Sequence, residues 1–289
     1  MNKVWTRISD PTERDLLFFS IQRTEHYVFK IHIQFRCTER GCTTVHMYAG
    51  PSPRFGCFSL MLPFAMKNNY ETTENVAHLC NLKRIRDCLH EQVTDEIWEK
   101  HSFAIEAMNR MIEILQFQFP YIKFITLEDD SQLECSANPL DKLDLLYYSV
   151  ALYGKTWYEK QFDAYFIPKD LFISYKCNVR KFQAPETKRE TSFEEIETFI
   201  KTKGSDEAYK LLNENHEHFK HLYNESNTFS EFFAKINNVL SRDKKCFMYK
   251  GWIKYFVMKF IGEIKRQWVI NVYKFKGGRR RARKNKHPK

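Results

Sequence analysis

The densest chemistry in this 289-residue chain lies in residues 274–289, KFKGGRRRARKNKHPK. Nine cations (Lys274, Lys276, Arg279, Arg280, Arg281, Arg283, Lys284, Lys286 and Lys289) stand there with no acid among them. Cationic side chains at that density neutralise phosphates, and release of counterions makes such binding fall steeply with salt. Gly277 and Gly278 loosen the attachment, and the stretch reads as a disordered basic tail. RRRARK over 279–284 also suits a nuclear import receptor, as a nuclear localisation signal would. The whole chain carries a formal charge of 46 − 36 = +10, so the residues before 274 sum to only +1. The basicity belongs to the arm, and the body is nearly neutral.

Other groups could do chemistry, and each has a plainer role. Cys37 and Cys42 flank a turn, with His32 and His46 on the adjoining runs. Tetrahedral zinc takes such ligands, but strand alternation can send the two histidines to different faces, so free thiols in a hairpin are expected. His216, His218 and His221 sit in a helical segment where His218 and His221 share a face near Glu214 and Glu217; a solvated surface is expected, and no metal site. Glu128, Asp129 and Asp130 close a strand, where they would hold magnesium, act as a base, or simply cap a polar exit. The polar exit is the expectation. Residues 247–273 interleave Tyr249, Trp252, Tyr255 and Phe256 with Lys250, Lys254 and Lys259. Such interleaving stacks bases while holding phosphates, or lies on a membrane surface. An amphipathic helix with Trp252, Phe256, Phe260 and Ile264 on its buried stripe is the plainer expectation. Its exposed lysines would then extend the footprint of the arm.

The elements that must position these groups follow from periodicity. Residues 26–36, HYVFKIHIQFR, alternate Val28, Ile31, Ile33 and Phe35 against Lys30, His32 and Gln34, which predicts a strand. CTTVHMYAG at 42–50 and CFSLMLPF at 57–64 predict two more, joined by Gly and Pro turns. Residues 75–89 contain a fourth alternation. Over 94–119 the apolar residues move to helical spacing, and Pro120 ends the helix. Residues 121–127 read as a strand, 139–161 as a helix and 162–168 as a closing strand. The order over 26–175 is thus β-β-β-β-α-β-α-β, a mixed and largely antiparallel sheet with flanking helices. Residues 176–192 are polar and contain a proline, which suggests a linker. From 193 the chain is helical in flavour, with Ser192 and Glu195 placed as a capping box.

At Thr156–Phe166, TWYEKQFDAYF, the sequence resembles the Tyr-Glu-Lys motif segment of the GNAT acetyltransferases. The preceding order of antiparallel strands, helix, strand and helix is similar, over residues 60–170. TWYEK after a strand ending in Asp129 and Ser131 more specifically resembles uncharacterised GNAT-like proteins of large DNA viruses. The resemblance implies an acetyl-CoA-dependent N-acetyltransferase in which Tyr158 protonates the leaving thiolate. It also implies a glycine-bearing loop near 88–98 that binds the CoA pyrophosphate at a helix N-terminus. Backbone N–H groups converge on phosphate there only where no Cβ intrudes. This chain has no glycine between Gly56 and Gly154, and Glu91, Asp95, Glu96 and Glu99 make the loop acidic. A degenerate, non-catalytic member is therefore expected, with no cofactor.

The expected organisation is a GNAT-like α/β domain at 1–175, a linker at 176–192, a helical region at 193–273 and the tail at 274–289. The expected function is a non-catalytic, viral-type protein that contacts nucleic acid through the tail cations. An active acetyltransferase using acetyl-CoA, and a virion structural component touching packaged genome, are the alternatives. The start of the chain has no apolar secretory segment, and no uncharged apolar run reaches the roughly 18–20 residues of a membrane span. Eight dispersed cysteines without a CxxC pair are then expected as buried or free thiols in the cytoplasm or nucleus.

Overall fold

A computed structural model describes residues 6–8, 16–23, 28–38, 41–50, 54, 57–63, 75–82, 103–130, 132–134 and 142–274. The protein is a mixed α/β protein with a largely antiparallel sheet, and it divides into two units. One comprises Met1–Leu127 with Val269–Lys289, the other Glu128–Trp268.

The first unit is built on the sheet. Strands β1 (Thr6–Ile8), β2 (Leu16–Arg23), β3 (Val28–Thr38), β4 (Gly41–Ala49), β5 (Phe58–Pro63) and β6 (Val76–Leu82) pair antiparallel in chain order. Helix α1 (Phe103–Gln118) follows, and strand β7 (Phe124–Glu128) then pairs parallel with β6. The register explains the alternation seen in the sequence. Ile33 faces Met47, Met47 faces Leu60, and Leu60 faces Leu79, so one face of the sheet is apolar from strand to strand. Helix α1 buries Phe103, Ala107, Met108, Met111, Ile112, Ile114 and Leu115, and its Phe103 ring lies 5.5 Å from that of Phe29. Burying one such large side chain stabilises the fold by about 1.5–3 kcal/mol before ordering costs, so this contact fixes which sheet face is the core.

Strand β10 (Gln267–Asn271) joins the sheet at its far edge, beside β7. Two flanking bonds, Asp129 N–H to Arg266 C=O at 2.8 Å and Val272 N–H to Lys123 C=O at 2.9 Å, run in opposite sequence order, as an antiparallel pair requires. Trp268, Val269 and Ile270 are buried. The expected helical region over 193–273 therefore ends early. Its last five-residue run of apolar character belongs to a strand, because the partner that satisfies its backbone is β7 and not the preceding turn.

The second unit opens with a short hairpin, β8 (Gln132–Glu134) and β9 (Lys142–Asp144), and is otherwise helical. The helices are α2 (Leu145–Tyr153), α3 (Trp157–Phe162), α4 (Lys169–Gln183), α5 (Pro185–Arg189), α6 (Phe193–Lys203), α7 (Asp206–Glu214), α8 (His216–Asn224), α9 (Phe229–Val239), α10 (Arg242–Met248) and α11 (Lys254–Ile261). A π-helical turn, Tyr249–Ile253, joins the last two. Their starts follow capping chemistry. Asp144 caps α2 through Leu146 N–H, and Gly154 closes that helix at φ 63°, a left-handed position glycine takes without strain. Ser192 and Glu195 form the expected capping box on α6. The core is aromatic: Phe182 stacks on Phe229 at 5.5 Å, Phe229 meets Phe256 at 5.0 Å, and Phe233 meets Trp252 at 5.6 Å.

Several expectations are corrected. The linker expected at 176–192 is helix α4 followed by α5, because Tyr175, Val179 and Phe182 form a buried stripe and Pro185 stands at the first turn of a new helix. The closing strand expected at 162–168 does not form: Phe162 ends α3, and Asp163 turns the chain at φ 52°. Strands β1 and β2 and the early β10 partnership were not anticipated. Residues 94–102 of the expected first helix lie outside the described residues. Cys80 and Cys177 are free thiols, but Cys57 and Cys246 are each disulfide-bonded, contrary to the expectation for all eight. Among the described residues no helix is long and apolar enough to cross a membrane.

Candidate functional site

The TWYEK segment lies in the second unit and is built as a helix start. Thr156 caps α3 by accepting from Glu159 N–H at 3.3 Å, while the Glu159 carboxylate accepts from Thr156 N–H at 3.0 Å. The same carboxylate accepts from the Tyr175 hydroxyl and from Lys176 Nζ, both at 2.7 Å. Three donors, from the cap residue of α3 and from α4, thus converge on one buried carboxylate. Tyr158, the residue matched to a leaving-group acid, is 7% exposed and packs its ring against Trp157 and Phe162. Burial pushes its hydroxyl far above the usual tyrosine range, and the Asp129 and Asp130 carboxylates push it in the same direction. It holds its proton tightly. Residues 83–102, which include the loop expected to hold CoA phosphate, lie outside the described residues.

Arg266, one of the cations interleaved in the basic aromatic segment, engages the Asp129–Asp130 end of this acidic run. Arg266 donates to the Asp129 carbonyl at 3.0 Å, to Asp130 Oδ1 at 3.3 Å and to Asp144 Oδ2 at 2.7 Å. It ties the end of β7 and the start of α2 to the segment entering β10. That is the polar exit in a more elaborate form than expected.

Among the described residues no group of three or more His, Cys, Asp or Glu is placed to hold a metal. His32 and His46 share one face of the sheet after all, because His32 pairs with Tyr48 and Gln34 with His46. His32 stacks on Tyr48 at 5.1 Å. Cys37 pairs with Cys42 beyond a bulge at Arg36/Cys37, and the side chains of both cysteines lie outside the described ones. His216 is clamped between Glu197 at 2.7 Å and Glu217 at 2.9 Å, which supports a solvated ion-pair surface.

The cations of the arm have a defined root. Gln116 Nε2 donates to the Val272 carbonyl at 2.7 Å, and the Tyr273 hydroxyl donates to the Pro120 carbonyl. Lys274 N–H then donates to Asn271 Oδ1 at 3.0 Å, and Lys274 is exposed. The arm therefore leaves the anchored edge strand β10 of the first unit. Lys276, Arg279, Arg280, Arg281, Arg283, Lys284 and Lys286 lie outside the described residues.

The basic aromatic segment before it folds as α10, the π turn and α11. Trp252, Phe256 and Ile264 are buried as the stripe predicted. Residues 242–266 carry eight cations (Arg242, Lys244, Lys245, Lys250, Lys254, Lys259, Lys265, Arg266) against Asp243 and Glu263. Beside the π turn is a cavity of about 160 Å³ lined by Tyr147, Tyr148, Tyr249, Tyr255, Lys250 and Lys254, with Asp144 and Leu143 at its wall. Tyr148 donates to Asn237 Oδ1 at 2.8 Å, and Tyr147 accepts from Ile264 N–H at 3.1 Å. The Tyr249 hydroxyl is buried and has no hydrogen-bond partner among the described residues. The pair Tyr147-Tyr148 and the segment 249–255 were visible in the sequence, but nothing local links residues a hundred positions apart.

No protein-family model, curated protein or solved structure matches this chain.

Proposed function

We propose that the protein is a non-catalytic nucleic-acid-binding protein whose contact element is the arm at 274–289. The observation that carries this reading is the charge distribution: nine cations and no acid in the arm, against a sum of +1 over everything before it. The rooting of the arm by Val272 and Tyr273 on the first unit supports it, since a tethered cluster keeps its charges near one place on the body.

The body reads as GNAT-like in element order and degenerate in chemistry. Antiparallel strands leading into a parallel β6–α1–β7 unit suit the resemblance. The use of Glu159 in capping and ion pairing, and the burial of Tyr158, support a structural role for the motif. No glycine serves a phosphate loop between 56 and 154.

Ending the chain after Tyr273 tests the proposal. With a labelled single-stranded 20-mer, full-length protein is expected to lose affinity with a slope of about −6 in log K against log salt, taking roughly −0.7 per neutralised phosphate. The truncated chain is expected to lose both affinity and slope. Retention of both would refute the arm as the contact. Saturable thermal stabilisation by acetyl-CoA would refute the degenerate reading.

A further inference from the structure

We infer that the tyrosine-lined cavity beside the π turn holds one unstacked pyrimidine-sized base of a single strand, with Lys254 on the adjoining phosphate. This deepens the nucleic-acid reading above and rests on it. The size argument comes first. The cavity measures about 160 Å³, and an apolar cavity of about 150 Å³ accepts one benzene ring. One six-membered ring fits, and a second fused ring would project into solvent.

The walls supply the chemistry. Tyr148 and Tyr249 stand with ring centroids 4.4 Å apart, and Tyr255, 50% exposed, lies at the opening. Tyrosine faces stack bases with little regard to sequence. Two of the hydroxyls are engaged: Tyr148 on Asn237, and Tyr147 by Ile264 N–H. The Tyr249 hydroxyl is not, among the described residues, and an unmade buried hydrogen bond is costly. A pyrimidine carbonyl entering the cavity would accept from it.

The charge argument concerns Lys254. Its Nζ is 3.9 Å from Asp144 Oδ2, whereas Arg266 already holds that carboxylate at 2.7 Å. Asp144 also caps α2 through Leu146 N–H. The carboxylate is satisfied without Lys254, whose ammonium, held only by that longer contact and by the Tyr147 ring 5.5 Å away, can turn to a phosphate. The π turn carries the orphan hydroxyl, and insertions of this kind recur at functional sites.

Fluorescence anisotropy on the full chain tests the inference with two labelled 10-mers, oligothymidylate and an abasic strand with the same phosphates. Thymidylate is expected to bind about tenfold more tightly, within the range of one base stacked on an aromatic side chain. Tyr255→Ala, at an exposed position, should abolish that preference and leave abasic affinity unchanged. Tyr249→Phe, which deletes only the hydroxyl, should weaken thymidylate severalfold, with unfolding by circular dichroism as the folding control. Equal binding of both strands, or a preference that survives Tyr255→Ala, overturns the pocket and leaves the arm standing. If neither strand binds, the nucleic-acid reading itself is overturned.

Discussion

Replacing Glu159 separates a structural motif from a chemical one. Its side chain is 5% exposed and accepts from Tyr175, Lys176 and Thr156 N–H. Glu159→Ala would leave the Tyr175 hydroxyl buried without that acceptor, at a cost of about 1–3 kcal/mol. Loss of one arm of the capping box adds about 1 kcal/mol. Lys176 keeps a quarter of its side chain in solvent, so its ammonium relaxes outward and its loss adds only about 1 kcal/mol, below the range for a fully buried pair. These terms share partners and do not add fully, so the expected total is about 3 kcal/mol. For a unit of this size that lowers Tm by roughly 6–12 °C. Glu159→Gln keeps the size and the acceptor oxygen, so it should lose mainly the Lys176 attraction, about 1 kcal/mol. Trp268 lies 6.3 Å from Tyr175, so tryptophan fluorescence during thermal unfolding reports on this region. A Glu159→Ala protein within about 0.5 kcal/mol of the parent, or a Gln variant as damaged as the Ala variant, would refute the structural reading.

Three further outcomes follow from the same geometry. A Cβ on Gly251 would stand 2.5 Å from Ala208 Cβ and 2.8 Å from Ser205 Oγ, so Gly251→Ala should cost about 1–3 kcal/mol in urea unfolding by overpacking the π turn against α7. His216 titrates above its ordinary value, chiefly through Glu217 and further through Glu197. Its raised folded value stabilises the protein fully below the ordinary histidine pKa, and the benefit is lost as pH rises through the folded value. NMR titration should show that midpoint fall in Glu217→Gln; an unchanged midpoint would assign the shift elsewhere. Replacing Arg279, Arg280 and Arg281 by alanine should flatten the single-strand salt slope by about 2, at roughly 0.7 per lost phosphate contact. An unchanged slope would remove those residues from the interface.

What the sequence carried and what it hid differ in range. Strands β3 to β6 were legible because their partners are consecutive and α1 covers one face, so Ile33 stands between His32 and Gln34 and Met47 between His46 and Tyr48. Gln267–Asn271 was not legible as a strand. Five apolar-rich residues after a helix carry no period of their own, and what makes them β10 is a partner about 140 positions earlier in the chain. The Thr156-x-x-Glu159 spacing is a capping-box signature readable from sequence alone, whereas the Tyr175 and Lys176 partners of Glu159 lie 16 and 17 residues on and show only in the fold. Arg266 could not be found that way, since Asp130 and Asp144 lie 136 and 122 residues from it.

The same long-range pairing gives the arm its place. A cationic tail following a helix of the second unit would have been the natural reading of 247–289. Because β10 returns the chain to the sheet, residues 269–289 belong to the first unit, and the cations begin one residue after a tyrosine bonded to Pro120. That bond and the Gln116–Val272 bond hold only while α1 and β7 are folded, so the arm's root is coupled to the core of the first unit's sheet. Destabilising α1 should therefore loosen the attachment of the arm before it changes any of the arm's own charges.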